Sequence, residues 1–458
     1  MNRDVAVIVL AAGAGTRFRS DTAKVLHRAA GRSLVAHVLE AVRPLGAGQV
    51  LVVIGHQAEA VQQEIDGVGL PEVTTVLQSE QRGTGHAVQA AMPALDEGIE
   101  RVLILPGDTP LITAERLGSL LAVRAPGGAL LTTEPADPTG YGRVVRADDG
   151  EVARVVEERD AGPEECAIGE VNAGMYQFDR ARLVGAIGRL GDDNAQGELY
   201  LTDVVEVLAS DRAPVTAVPA PPSEVAGVND RAQLADAAAL LRRNHLDHLL
   251  RDVGVSVTDP VTTYVDVDVT VGRDAVLLPG TILEAGTRIG ERAVIGPNTH
   301  LTACEVGEGA TVHSTRAEGA VIGDRAEVGP FAHLRPGTRL GSATKVGAFA
   351  ETKNATLGHG SKIPHLAYVG DATVGQQVNI ACGVITVNYD GRTKSHTTIE
   401  DGAFVGCDTM LVAPVTIGSG AYTAAGSTIT EDVPAGALGI ARARQTTKEG
   451  WAQRRSTR

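Results

Sequence analysis

Apolar residues follow two different rules along this chain, and the rule changes near the middle. In the first half, short unbroken apolar runs, Val5–Leu10, Val50–Ile54 and Val102–Leu105, each lead into Gly, Pro or small residues. Runs this short, apolar on both faces, suit strands of a parallel sheet covered by helices. Between them Ser33–Val42 and Gly85–Met92 have helical spacing. The pattern predicts an α/β domain over residues 1–228, doubly wound and Rossmann-like, with ligands beyond the carboxyl ends of its strands. A Pro-rich stretch, Pro214–Pro222, then precedes Asp230–Arg251, which is rich in Ala, Leu and Arg and lacks Gly and Pro. It reads as a connecting helix within 229–252, capped by Asn229. His245 and His248, three apart on it, read as part of a solvated face rather than a metal pair.

From about residue 253 the spacing becomes six. Val271, Leu277, Leu283, Ile289, Ile295 and Leu301 keep it, as do Ile322, Val328, Leu334, Leu340 and Val346. Ile399, Val405, Leu411 and Ile417 resume it, ending at Ile429 with Thr423 between. Six is even, so in extended chain every repeat residue lands on one face; in an α-helix they would scatter around the axis. This predicts a parallel β-helix over 253–458, C-terminal tail included. The period breaks at two places. Thr352 takes an aliphatic slot and the register slips before Leu357; Asn388–Thr398 is a polar insertion. Breaks in a consistent pattern are where function is expected. These hold Lys353, Asn388 and Tyr389, with His365 close by.

Charge and composition narrow the partners. Lys plus Arg number 41 against 56 Asp plus Glu, a net charge of −15 with no basic half, which argues against nucleic acid and anionic membrane. Aromatics at 3% argue against a surface that stacks bases or sugar rings. Cys166, Cys304, Cys382 and Cys407 are far apart with no CxxC pair, as reduced thiols of a cytoplasmic protein are. No apolar run reaches the ~18 residues that cross a bilayer. The run after Arg3 reads as a buried strand rather than a leader, because Asp4 cancels the charge and a Gly loop ends the run.

Two segments carry chemistry. LAAGAGTR, residues 10–17, follows the first strand directly. Its small residues let a ligand approach backbone N–H groups, and Arg17 and Lys24 come within reach of a polyphosphate. It is neither a P-loop nor a GxGxxG fingerprint. PGDTP, residues 106–110, places Asp108 at the carboxyl end of a strand. An Asp there suits magnesium, which needs few protein oxygens, and equally suits the start of a turn before Pro110.

These two elements resemble the sugar-1-phosphate nucleotidyltransferases. KVLH (24–27), QSEQRGTGHA (78–87), GYGRVV (140–145), NAG (172–174), NAQGELYLTD (194–203) and GVND (227–230) extend the likeness. FAHLRPGT (331–338), KIPHLAYVGD (362–371), VNYDG (387–391), APVTIG (413–418), AAGS (424–427) and QTTKEGW (445–451) carry it to the end of the chain. In this order they resemble the bifunctional N-acetylglucosamine-1-phosphate uridylyltransferase / glucosamine-1-phosphate N-acetyltransferase family. The resemblance implies a nucleotidyltransferase domain, a connecting helix and a left-handed parallel β-helix of hexapeptide repeats. It implies acetyl transfer from acetyl-CoA to glucosamine 1-phosphate, then uridylyl transfer from UTP to N-acetylglucosamine 1-phosphate, with Mg2+ as cofactor and a homotrimer as assembly.

By position, the resemblance puts Leu10, Ala11, Ala12 and Gly13 on the nucleotide and Gln78, Gly83 and Thr84 on the uracil. Arg17 and Lys24 fall on the phosphates, and Pro106 and Gly107 beside them. Gly142, Glu157 and Asn172 fall on the amino sugar, and Asp108 and Asn229 on the metal. In the second half His365 is the base, Arg335 and Lys353 bind the sugar phosphate, and Tyr368 and Asn379 the sugar. Cys382, Asn388, Tyr389, Cys407, Ala425 and Arg442 fall on acetyl-CoA. Pro106 stands where the family often has an aromatic residue, and Cys382 and Cys407 where it more often has Ala and Ser. The alternative is a nucleotidyltransferase whose β-helix serves only assembly or regulation. A non-catalytic scaffold fits poorly with Arg17, Lys24, Asp108 and Asn229 all in place.

Overall fold

The computed structural model describes residues 2–71 and 73–455 and divides into two compact units, residues 1–241 and 242–458. In the first unit a mixed sheet runs in the order Thr216–Pro219, Ala129–Thr133, Val171–Asp179, Arg101–Pro106, Val5–Ala11, Gln49–Ile54, Val73–Leu77. Val5–Ala11 is an interior strand, parallel to both Gln49–Ile54 and Arg101–Pro106. Burial explains the unbroken apolar runs: Val5, Val7 and Val9 face one core, Ala6 and Ile8 the other, and all five are fully buried. The sheet departs from an all-parallel reading in Val171–Asp179, which runs antiparallel to both its neighbours. Apolar runs encode burial, not direction.

The predicted connecting helix spans Arg231–His248 and continues as a π-turn, Leu249–Val253. Its N-terminal cap is Asp230, not Asn229: Asp230 Oδ1 accepts from the Gln233 N–H at 2.8 Å. Asn229 is thereby left to face the strand ends. His245 is half-buried against the Val269 carbonyl at 3.1 Å, so it does not belong to a solvated face. His248 is exposed and meets Asp252 at 2.7 Å. Leu246 and Leu249 are buried in the core of the second unit.

That unit is a left-handed parallel β-helix, its short strands hydrogen-bonded to strands one coil away. Val276 pairs with Val294 and Ile282 with His300, eighteen positions ahead, which is three hexapeptides. The period-six residues fill the coil interior; Leu277, Leu283, Ile295, Leu301, Leu334, Val405 and Leu411 are fully buried. The offset widens where Asn388–Thr398 is inserted: Asn379 pairs with Phe404 and Ile385 with Met410, twenty-five positions on. Thr352 is not an exposed break. It is fully buried, and its hydroxyl meets that of Thr338 at 3.0 Å inside the coil.

Candidate functional site

In the first unit a cleft of about 540 Å³ opens beyond the carboxyl ends of Val5–Ala11 and Arg101–Pro106. Leu10, Ala11, Ala12, Gly13, Lys24, Gln78, Gly83, Thr84, Pro106, Asp108, Glu157 and Asn172 line it. Gly107, Gly142, Asn229 and Arg17 are tied to this lining. The Gly107 N–H donates to Leu10 O at 2.9 Å, and the Gly142 carbonyl accepts from the Asn172 N–H at 2.9 Å. Asn229 Oδ1 accepts from Arg17 Nη2 at 2.9 Å and lies 3.4 Å from Lys24 Nζ. Lys24 also pairs with the Asp108 carboxylate. Gly15 permits this approach: its φ is +62°, and a Cβ there would lie 2.5 Å from Lys24 Cβ.

One end of the cleft is fixed by backbone and by Gln78. Gly83, at φ +102°, leads into the helix Thr84–Ala91; a Cβ on it would stand 2.5 Å from Leu199 O. Gln78 Nε2 meets Gly83 O at 3.2 Å and His86 Nδ1 at 3.1 Å, and among the described residues nothing donates to its Oε1. At the other end Glu157 is half-buried and accepts from the Thr202 hydroxyl at 3.3 Å. Burial, reinforced by Asp203, Asp160 and Glu198, raises its carboxyl above the usual range. Tyr176, Gln81, Glu198 and Thr202 also line the cleft and were missed in the sequence. Tyr176 OH accepts from Asn172 Nδ2 at 2.6 Å. The even spacing of these two on one strand was the signal available.

Asp108 and Asn229 offer two hard oxygen donors, and the Lys24 ammonium now lies against both. A point that attracts one cation, flanked by a carboxylate and an amide oxygen, fits magnesium with phosphates and water as its remaining ligands. Among the described residues no group of three or more His, Cys, Asp or Glu is arranged to hold a metal.

In the second unit the coils stack the remaining residues in two columns. Arg335 donates its backbone N–H to Thr352 O at 2.8 Å, and Lys353 pairs with Gly370 on the next coil. Arg335 and Lys353 therefore stand at neighbouring register positions, with Tyr368 opposite Glu351. Arg335 Nη1 pairs with Glu351 at 2.9 Å. Lys394, from the insertion, stands beside Lys353; its hydrogen bond with Lys353, then its charge and that of Arg335, push the Lys353 ammonium below the usual lysine range. Lys394 was missed because only the fold of the insertion brings it there.

The other column holds His365, Cys382, Cys407, Ala425 and Arg442. Gly383 N–H donates to Leu366 O, Asp408 N–H to Cys382 O and Gly426 N–H to Cys407 O, at 2.7, 2.7 and 2.8 Å. A Cβ on Gly426 would lie 3.9 Å from Arg442 Cδ. His365 is exposed and registers with Ala348 on the preceding coil. Next to it Phe331 and Phe349 stack at 5.5 Å, exposed by 60% and 63%. Asn388 hydrogen-bonds Asp371 and lies 3.5 Å from Tyr368 OH, while Tyr389 is exposed and bridges to Lys394. Asn379 sits on a separate short strand, paired with Lys362 and Phe404.

A strand–loop cleft with Arg, Lys and Asp at its mouth, in one chain with a hexapeptide coil, defines a transferase of nucleotide-sugar synthesis that also transfers an acyl group. Residues 7–184 match the MobA-like NTP transferase domain family, and residues 396–431 the bacterial transferase hexapeptide family of six repeats. The chain is 51% identical to the bifunctional protein GlmU of Mycolicibacterium vanbaalenii, over 99% of this chain and 94% of that one. Identity to the bifunctional protein GlmU of Corynebacterium efficiens is 49%, over 98% and 94% of the two chains. For that of Streptomyces avermitilis it is 48%, over 99% and 95%. The chain belongs to the bifunctional GlmU family. It is a bifunctional enzyme of UDP-N-acetylglucosamine synthesis, a uridylyltransferase and a glucosamine-1-phosphate acetyltransferase. Among the described residues no helix is long and apolar enough to cross a membrane.

Proposed function

We propose that the two reactions run at two independent centres, the cleft of the first unit and the exposed columns of the second. The observation that carries this is the convergence of Arg17, Lys24, Asp108 and Asn229, four residues from three distant segments, at the mouth of a cleft built for a nucleotide. There a phosphate oxygen of N-acetylglucosamine 1-phosphate attacks the α-phosphorus of UTP, and pyrophosphate leaves in line. Both partners are anions, so charge repulsion and orientation are the obstacles. Arg17 and Lys24 neutralise the phosphates, backbone N–H groups of residues 11–13 hold the nucleotide, and Gln78 Oε1 accepts from the uracil N–H. Gly142, Glu157 and Asn172 hold the amino sugar. A phosphate nucleophile arrives ionised and needs no general base.

Asp108 and Asn229 would hold Mg2+. Bound there, the ion supplies positive charge against the phosphates. Lys24 is free to turn from the Asp108 carboxylate to the nucleotide.

In the second unit His365 takes the proton from the amine of glucosamine 1-phosphate. The amine attacks the thioester carbonyl of acetyl-CoA, the carbon–sulfur bond breaks, and coenzyme A leaves as the thiol after taking that proton from His365. Arg335 and Lys353, with Lys394 beside them, bind the sugar phosphate; Tyr368 and Asn379 face the sugar. Asn388, Tyr389, Cys382, Cys407, Ala425 and Arg442 take acetyl-CoA. His365 and its neighbours Phe331, Phe349 and Leu366 are exposed in a single chain. A homotrimer covers that face and completes the site. The proposed setting is the cytoplasm.

The test is incubation with glucosamine 1-phosphate, acetyl-CoA, UTP and magnesium, omitting one at a time. Thiol release that requires glucosamine 1-phosphate, and pyrophosphate release that requires magnesium, support the reading. His365→Ala is expected to abolish the first and leave the second. Loss of both in a folded trimer would sink the two-centre picture.

A further inference from the structure

The acetyl-transfer face contains a buried carboxylate to which that reading gives no role. Asp371 is 9% exposed and adopts φ +48°. Its backbone is pinned through Gly370, whose N–H donates to the Thr386 hydroxyl at 2.8 Å and whose carbonyl accepts from it at 2.9 Å. The two carboxylate oxygens serve two different asparagines. Oδ1 accepts from Asn354 Nδ2 at 2.7 Å, and Oδ2 accepts from Asn388 Nδ2. Burial works against the charge, but these two hydrogen bonds, with Lys394 and Lys353 nearby, hold the carboxyl below its usual range.

A carboxylate can only accept, so both amides must present their NH2 groups to it. For Asn388 this decides which way the amide faces. Nδ2 is turned inward, and among the described residues nothing donates to Oδ1. Building on the acetyl-transfer reading above, we propose that Asp371 is a positioning residue: it sets the Asn388 amide so that Oδ1 accepts from an N–H of a substrate. That donor is either the attacking amine of glucosamine 1-phosphate or an amide of the pantetheine arm of acetyl-CoA. The amine gains positive charge as it attacks, so an acceptor aimed at it acts chiefly in the transition state.

Asp371→Asn in the full-length chain tests this. The new amide keeps its oxygen for Asn354 and turns NH2 toward Asn388. Two donors then face each other, which a half-turn of the Asn388 amide relieves. The internal hydrogen bond survives, but the outward group becomes a donor. Adding Asn388→Asp restores an outward acceptor and the internal bond together. The expected result is a melting temperature within about 3 °C of the parent, acetyl transfer slowed by roughly 10-fold or more, and recovery of most of that loss in the double variant. Uridylyl transfer stays unchanged. A fall in kcat identifies the sugar amine as the donor; a rise in KM for acetyl-CoA identifies the pantetheine amide. Unchanged acetyl transfer in Asp371→Asn overturns the proposal. So does a loss the double variant does not recover, or a loss of activity that only follows a loss of stability. Absence of thiol release in the parent protein would instead remove the acetyl-transfer reading beneath it.

Discussion

Arg17 and Asn229 are hydrogen-bonded at 2.9 Å although 212 positions separate them in the chain. The bond ties the loop after the first strand to the residue just before the long helix. Asn229 reaches it because Asp230, not Asn229, caps that helix. Asn229→Ala is expected to lower kcat/KM for uridylyl transfer by roughly 100-fold and to raise the magnesium concentration needed for half-maximal rate. Asp108→Asn is expected to abolish this reaction. Acetyl transfer, followed by thiol release, should be unchanged in both; a matching loss there would contradict separate centres.

The paired hydroxyls of Thr338 and Thr352 lead to an asymmetric expectation. Thr338 Oγ1 donates to Arg335 O at 2.8 Å, so its proton is used and Thr352 must be the donor between them. Thr352→Val removes a donor and leaves every remaining proton placed; a change of under about 1 kcal/mol is expected. Thr338→Val strands the Thr352 proton in an apolar interior and should cost about 1–3 kcal/mol. Denaturant unfolding of the two variants compares them, and equal costs would refute the assignment.

Asp203 has its carboxyl pushed up to about 6, first by burial and then by Glu206 and Asp160. A group whose folded pKa exceeds its unfolded value binds its proton more tightly in the native state. Stability from it is therefore fully present below the unfolded value near 3.8 and is lost as pH rises through about 6. Asp203→Asn is expected to stabilise the protein at neutral pH, by roughly 1–2 kcal/mol once solvent screening is allowed for. Near pH 4 the gain should shrink toward zero. Thermal melts at the two pH values decide it; a gain independent of pH would rule out the titration.

In the proposed homotrimer Phe331 and Phe349, stacked and exposed near His365, would supply a contact between chains. Phe331→Ser combined with Phe349→Ser should give monomers by light scattering and lose acetyl transfer, while uridylyl transfer persists. An active monomer would show that one chain completes the acetyl site.

The coil was legible in the sequence because one buried residue in every six is a strict requirement of its geometry. The cleft was legible where a motif follows a strand directly, as Leu10–Gly13 and Asp108 do. What stayed hidden depends on register. Lys394 meets Lys353 only because the insertion widens the coil-to-coil offset to twenty-five, and Asn388 meets Asp371 because neighbouring coils stand seventeen residues apart there. No local pattern around Asp371 announces two asparagines from neighbouring coils. Thr352 looked like a break in the aliphatic slots, yet a partner hydroxyl on another coil lets a polar residue fill one.

Leu246 and Leu249 sit in the hydrophobic interior of the coil although both belong to the helical segment before it. They act as a stopper on the first turn of the solenoid, whose strand edge would otherwise invite another chain. A separately expressed acetyltransferase half must therefore begin ahead of Leu246. Cut at residue 253, where the hexapeptide spacing starts, it would expose a greasy, unpaired rim and precipitate.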